Sequence, residues 1–383
     1  MAGDDAVTAL IAAVVALAAN ALEPNASPFA PPLTPAPKIV RMLGPSGAFD
    51  AKTLGDFERE TGYAVAYDAY GDVTRIAPMM KDGPYDVVVL PGPALAQAIA
   101  AGQLRRLAKA QVQSAHLIAP PVAAKLAAYD PGGAYSLAWG WSATGLIYNA
   151  ATAPQLLGGT PNSWAAALAP EVARKLTPCG VALPDARDEL FVAAWRLLGV
   201  DPANLHEREV KPAADLLIRI RAMVRLPVSR DPIAAIVGGA VCLTFGDAAQ
   251  AEIASRRSRE GGAGLDIRYA APREGGPLSI VALAEPRDAP HPDEALTLID
   301  FLLRPAVVSE ATEAAGLMSA ETQVTVESFR SLRPVGVYDA RIAPLIEKEW
   351  ARVRATEQPE SKPPSKPAGK PTTKPTIAKG GKH

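Results

Sequence analysis

The sequence predicts an α/β protein built as two doubly wound lobes joined by a hinge. Three observations carry that reading. Short apolar runs of strand composition alternate with helical patterns, which implies a parallel sheet with helices on both faces. The rhythm starts twice, once on each side of Leu137–Asn149, LAWGWSATGLIYN, a stretch of strand-like composition around a Gly-containing turn. At 383 residues the chain is also long enough for two domains of roughly 100 to 200 residues, each with its own core.

Taken in order, the chain opens on the apolar run Ala6–Ala19, followed by Ala19-Asn20-Ala21 as a small-residue cleavage site. The run is short for a membrane span, which needs about 20 apolar residues, so residues 1–21 read as a signal peptide. Met1–Asp5 departs from that pattern in holding no Lys or Arg. Residues 22–38 are Pro-rich and read as an extended tether. Lys38–Leu43 then forms a strand, and Asp50 caps a helix that buries Leu54 and Phe57 and stops at Gly62. Tyr63–Tyr67 alternates as a strand, Val73–Met80 is helical, and Tyr85–Leu90 suits a strand covered on both faces. Helices are expected at Pro93–Ala101 and Pro121–Ala128.

Beyond the crossover, helices are expected at Trp164–Leu176, Arg187–Leu198, Ala213–Val224 and Asp247–Arg256, with strands at Cys179–Leu183 and Val241–Phe245. Strands at Ile267–Ala270 and Leu278–Leu283 come next, the second returning the chain to the first lobe, and then helices at Pro292–Leu303, Pro305–Ala315 and Ile342–Val353. One lobe thus takes residues 39–139 plus 276–318, and the other 140–275 plus 319–355. From 356 to 383 Lys-Pro pairs recur every four residues, a composition that precludes helix and favours a solvated, disordered tail.

Composition excludes several classes of function. With 49% hydrophobic and 21% charged residues and a net charge of −1, no overall field draws the folded part to nucleic acid. The four histidines and two cysteines are not spaced as zinc ligands, and no metal or other cofactor is indicated. Cys179 and Cys242 read as one disulfide if the protein is exported and as two buried thiols if it is not. Gly140-Trp141-Ser142-Ala143-Thr144-Gly145 places its second glycine one residue too late for a nucleophile elbow, and no His or acid stands ready to complete a triad. Gly261–Gly264 lacks the Lys-Ser/Thr of a phosphate loop. No enzyme constellation is present in the sequence.

The informative pattern is distributed. Phe57-Glu58-Arg59-Glu60-Thr61-Gly62-Tyr63-Ala64-Val65-Ala66-Tyr67-Asp68 resembles a helix-to-strand unit of periplasmic solute-binding proteins of the spermidine/putrescine class. Tyr85–Val89, Trp141–Asn149, Asn162-Ser163-Trp164, Cys179-Gly180-Val181, Asp185–Phe191, Pro272–Gly275 and Phe301–Pro305 are similar to that family too, in order, from about Ile39 to Arg354. The resemblance implies a bilobed type II binding protein, exported to the periplasm and monomeric. It would hold a small ligand in the interlobe cleft and deliver it to an inner-membrane ABC permease. It also implies a disulfide between Cys179 and Cys242, as in the putrescine-binding branch.

Polyamine binders desolvate ammonium groups and so need carboxylates for the charge and aromatic faces for the methylene chain. Here the family's pattern is changed. Of its segment after the first strand only Ser46 survives, and the serine after the Val-rich strand becomes Pro91. Glu189 is kept, Asp247 and Gln250 stand in an altered second-lobe segment, and Ser279-Ile280-Val281 replaces an aromatic and acidic one. The residues expected to bind ligand are therefore Ser46, Glu189, Asp247, Gln250 and Ser279. The alternative is the same fold retuned to another ligand or to a sensing role. Trp139 and Trp141 serve equally well as hinge packing or as pocket walls.

Overall fold

Val87-Val88-Val89-Leu90 carries no polar residue on either face, and all four are fully buried in the interior of a sheet. The structure is a computed structural model that describes residues 38–221 and 231–355. The expected signal peptide (1–21), the tether up to residue 37 and the tail (356–383) lie outside the described residues, as does the end of the helix expected at Ala213–Val224.

In chain order, β1 (Lys38–Pro45), β2 (Tyr63–Tyr70), β3 (Val87–Pro91) and β4 (Ser136–Ala143) belong to a first sheet. The second sheet is made of β5 (Gly145–Asn149), β6 (Val181–Ala182), β7 (Leu243–Gly246) and β8 (Ile267–Ala270). The chain then returns to the first sheet with β9 (Pro277–Ala284), β10 (Met318–Ser319) and β11 (Arg333–Pro334). The first sheet runs in the order β10-β4-β9-β3-β1-β2 with β11 also on β9, and the second β6-β7-β5-β8. Strict alternation of strands and helices implied parallel sheets, but both are mixed. β1–β3, β9–β11 and β6–β7 are parallel, whereas β9 runs against β3 and β4, β4 also against β10, and β5 against β7 and β8.

Each sheet has its own core. Strand period decides which side chains enter it: along β5, Leu146 and Tyr148 face the main core of the second sheet, while Ile147 faces a smaller one on the opposite side with Ala182, Val241 and Ala251. Helix α1 (Ala51–Thr61) starts at Asp50, whose Oδ1 accepts the Thr53 amide at 2.7 Å, and ends at Gly62 in the left-handed region. Its Phe57 packs edge-on against Phe301, with ring centres 5.2 Å apart. Helices α2 (Arg187–Leu197) and α3 (Ala248–Glu260) belong to the second lobe. The single helix expected at Trp164–Leu176 is broken into Ala165–Leu168, Pro170–Ala173 and a 3₁₀ turn, because Pro170 has no amide proton to continue the first piece.

The stretch Leu137–Asn149 resolves into two strands separated by one residue. β4 ends at Ala143 in the first sheet, β5 starts at Gly145 in the second, and Thr144 joins them. The return crossing from β8 to β9 packs directly on it, with the Thr144 amide donating to the Pro277 carbonyl at 3.0 Å. Two glycines are required by this approach. A Cβ at Gly145 would lie 2.7 Å from the Ala270 carbonyl oxygen, and one at Gly276 would lie 2.8 Å from that of Thr144. Trp164 seals the crossing from the second lobe: its indole N–H donates to the Gly275 carbonyl at 2.7 Å, and its ring stacks on Phe245. A third crossing comes after β11, where Val335 enters the second core with Ile342, Ile346 and Trp350.

Cys179 and Cys242 are joined in a disulfide, with Cα atoms 5.4 Å apart and a sequence separation of 63. The bond ties the approach to β6 to the approach to β7, two neighbouring parallel strands. Cross-linking a loop of this size restricts the unfolded chain. Replacing both cysteines by serine is expected to lower the unfolding free energy of the second lobe by about 2–4 kcal/mol, measured by urea unfolding followed through tryptophan fluorescence, while the oxidised parent keeps its midpoint.

Candidate functional site

Two helices of the second lobe direct their first turns toward the crossing. Asp247 is the N-cap of α3. Its Oδ1 accepts the Gln250 amide at 2.8 Å, and the Gln250 side-chain oxygen accepts the Asp247 amide at 3.1 Å, a reciprocal capping box. Gln250 is exposed, and its side-chain oxygen serves this cap. Glu189 lies in the first turn of α2, partly buried, with its carboxylate hydrogen-bonded to the Thr144 hydroxyl. Helix N-termini favour such negative groups.

The electrostatics of this pair are unusual. Burial, followed by the nearby charges of Asp247 and Asp188, pushes the Glu189 carboxyl up to about 7, against the lowering effect of its bond to Thr144. Burial likewise raises Asp247, opposed by the amides of Gln250 and Ala249. Asp188, by contrast, is engaged by Arg187 at 2.7 Å and accepts the Tyr338 hydroxyl at 3.2 Å. The charge of Asp247 therefore opposes ionisation of Glu189.

A cavity of about 290 Å³ opens beside Asp247. Its walls come from both lobes: Trp141 and Ala143 of β4, Tyr269 of β8, and Met318, Phe329 and Leu332 from the segment leading into the third crossing. Trp141 meets Phe329 edge-on with ring centres 4.8 Å apart, and its indole N–H donates to the Ser319 carbonyl at 3.2 Å. The Tyr269 hydroxyl donates to the Ala143 carbonyl at 3.1 Å, so its ring closes one side of the cavity. Trp139, the other tryptophan of the crossover, is fully buried against Phe49 in the first core.

The expected ligand residues are thus divided. Glu189 and Asp247 come together, with Gln250 committed to the cap of the same helix. Ser46 lies in the exposed turn after β1, where its amide donates to the Tyr70 carbonyl at 2.9 Å. Ser279 sits on β9 opposite Ser142, and neither Ser46 nor Ser279 lines the cavity. Thr144, Tyr269 and Phe329 were not anticipated from the sequence. Thr144 could have been found by asking what the single residue between two strands does with its hydroxyl, whereas Tyr269 and Phe329 carry no local signal.

Other concave sites differ in charge. A groove of about 470 Å³ is lined by Lys125, Arg330 and Arg333 around Pro121 and Phe329, and would repel an ammonium group. Burial, then the charges of Arg333 and Arg196, push Lys125 down to about 8. Among the described residues no group of His, Cys, Asp and Glu is arranged to hold a metal ion, and no helix is long and apolar enough to cross a membrane.

The raised Glu189 fixes a pH dependence. Between its ordinary value of 4.5 and about 7 the folded protein binds this proton more tightly than the unfolded chain does, so stability falls as pH rises through that window. Glu189→Gln removes the buried charge. Relative to the parent, the variant is expected to gain on the order of 2 kcal/mol at pH 8 and to show no such gain at pH 4, read from urea midpoints at the two pH values.

Known proteins share this architecture. Residues 52–328 match the family model described as bacterial extracellular solute-binding protein. The chain is 29% identical over 324 residues to the putrescine-binding periplasmic protein PotF of Escherichia coli K12, covering 79% of this chain and 88% of that one. It is 31% identical over 267 residues to the spermidine/putrescine-binding periplasmic protein of Salmonella typhimurium LT2, covering 69% and 72%. Among solved structures, its fold is similar to the spermidine/putrescine substrate-binding protein PotD of Streptococcus pneumoniae, with a TM-score of 0.72 at 16% identity over 83% of this chain and 99% of that one. The Tp0655 lipoprotein of Treponema pallidum gives a TM-score of 0.69 at 18% identity, over 83% and 100%. The two-sheet α/β architecture and the match over most of the chain agree, and the protein belongs to the bacterial extracellular solute-binding protein family.

Proposed function

We propose that this protein is the ligand-capturing component of a polyamine-class ABC uptake system. It takes putrescine or spermidine in the periplasm, closes on it and presents it to a membrane permease as a monomer. The observation that carries the reading is Asp247 in the lining of a cavity walled by Trp141, Tyr269 and Phe329, with Glu189 behind it and close enough to feel its charge. Two partly buried carboxylates that raise each other's cost of ionisation are relieved by an ammonium group. Aromatic faces suit the methylenes beside that charge. The relatives from Escherichia coli and Salmonella typhimurium point the same way, since their names specify putrescine or spermidine. No covalent step belongs to this reading. Binding is capture followed by movement of the lobes about the three crossings.

The proton on the acid pair sets the sign of the pH effect. An ammonium group entering beside Glu189 lowers its pKa and displaces the proton, so affinity is expected to fall as pH is lowered from 8 to 5.5. Calorimetry at pH 8 is expected to show saturable binding of putrescine or spermidine, weakened at least tenfold in Glu189→Gln. Absence of heat with both amines would exclude the ligand class while leaving the fold untouched.

A further inference from the structure

We propose that the cleft recognises one ammonium group only, so that its ligands include amines whose far end is uncharged, mono-N-acylated diamines above all. This rests on the proposed binding of amines and narrows it to one pole of the ligand. The carboxylates that face the crossing all come from the second lobe. Among the described residues Asp247 is the one charged residue lining the cavity, and Glu189 stands behind it on Thr144. From there the walls are Met318, Val324, Phe329 and Leu332, which offer no partner to a second charge.

The first lobe does not supply the missing acid. Along the carboxyl edge of its sheet, Pro91 pairs with Val281, which is nearly fully buried, and Ser46 and Ser279 are uncharged. The acids of the neighbouring turns lie outside the cavity lining: Asp50 accepts the Thr53 amide, and Asp72 accepts both the amide and the hydroxyl of Thr74. Asp68 pairs with Arg41, Asp86 accepts the amides of Arg41 and His291, and Glu285 pairs with Arg105. Glu321, whose Oε1 is buried without a hydrogen-bond partner and whose carboxyl is pushed up by burial, lies between Met318 and Val324 but is not itself among the residues that line the cavity.

The remaining polar side chains of the cavity, Ser142, Trp141 and Tyr269, are uncharged. The Trp141 indole N–H and the Tyr269 hydroxyl donate to the carbonyls of Ser319 and Ala143. A second ammonium pressed against Phe329 and Leu332 would give up its hydration without compensation, so a diamine leaves that end at the solvent-facing mouth. An acylated nitrogen carries no charge and costs far less to dehydrate. Removing the second charge therefore leaves recognition intact.

The test is calorimetry of the full chain at pH 8 with putrescine and N-acetylputrescine. Dissociation constants within tenfold of each other, or tighter binding of the acetylated amine, are expected. Putrescine binding more than tenfold tighter than its acetylated form would overturn the inference while leaving the amine reading in place. Heat from neither would overturn both. A second arm uses Asp247→Asn, which keeps an N-cap acceptor for α3 and so preserves the fold. It is expected to weaken both ligands at least tenfold and by similar factors, whereas loss of putrescine binding alone would assign Asp247 to the second ammonium and overturn the proposal.

Discussion

The backbone-to-backbone packing of two chain crossings at Thr144 is the constraint on which the rest of the structure depends. One extended run, Ser136–Asn149, gives its first half to one sheet and its second half to the other, and the return crossing into β9 lies against the residue between them. Gly145 and Gly276 allow that approach because a Cβ at either position would meet a carbonyl oxygen at less than contact distance. Thr144 has a separate duty on each side of the crossing: its amide holds the return strand and its hydroxyl holds Glu189. Hinge geometry and site electrostatics therefore share one residue.

The acids at this hinge are supported by helix ends. Glu189 and Asp247 both occupy N-terminal positions, where unpaired amides and the helix dipole offset part of the cost of holding a carboxylate away from water. Asp247 has a structural task as well, closing the capping box with Gln250. A residue that closes a helix cap cannot be exchanged freely, which separates Asp247 from Ser46 and Ser279.

Charge is sorted across the molecule. Carboxylates gather at the crossing, while Lys125, Arg196 and Arg333 gather around the segment Ser331–Pro334. There the Arg196 guanidinium donates to the Ser331 carbonyl, Lys125 donates to that of Leu332, and Asp201 receives Arg333 at 2.8 Å. Arg333 holds Asp201 down to about 2, so this ion pair persists at neutral pH. The segment is gripped from both lobes, by Lys125 from the first and Arg196 from the second, and it forms part of the wall of the cavity beside Asp247 through Leu332.

Much of the architecture was legible in the sequence because it rests on local rules. The caps at Asp50 and Gly62, the doubly covered strand at Val87–Leu90 and the break at a glycine-containing crossover derive from propensity and period. Pro170 shows the same rules at work where a longer helix had been expected. Strand direction was not legible, since alternation of strands and helices cannot tell that β4 and β9 run antiparallel across a shared hinge. Nor was the site. Glu189 and Asp247 are 58 residues apart in sequence, and nothing local distinguishes Asp247 the cap from Asp247 the cavity acid. Tyr269 and Phe329 join Trp141 only because two separate crossings deliver them there. By itself the sequence determined the elements, the two lobes and the family. Tertiary structure alone decided which carboxylates would be buried together, because burial and charge repulsion depend on distances that only the packed crossings set.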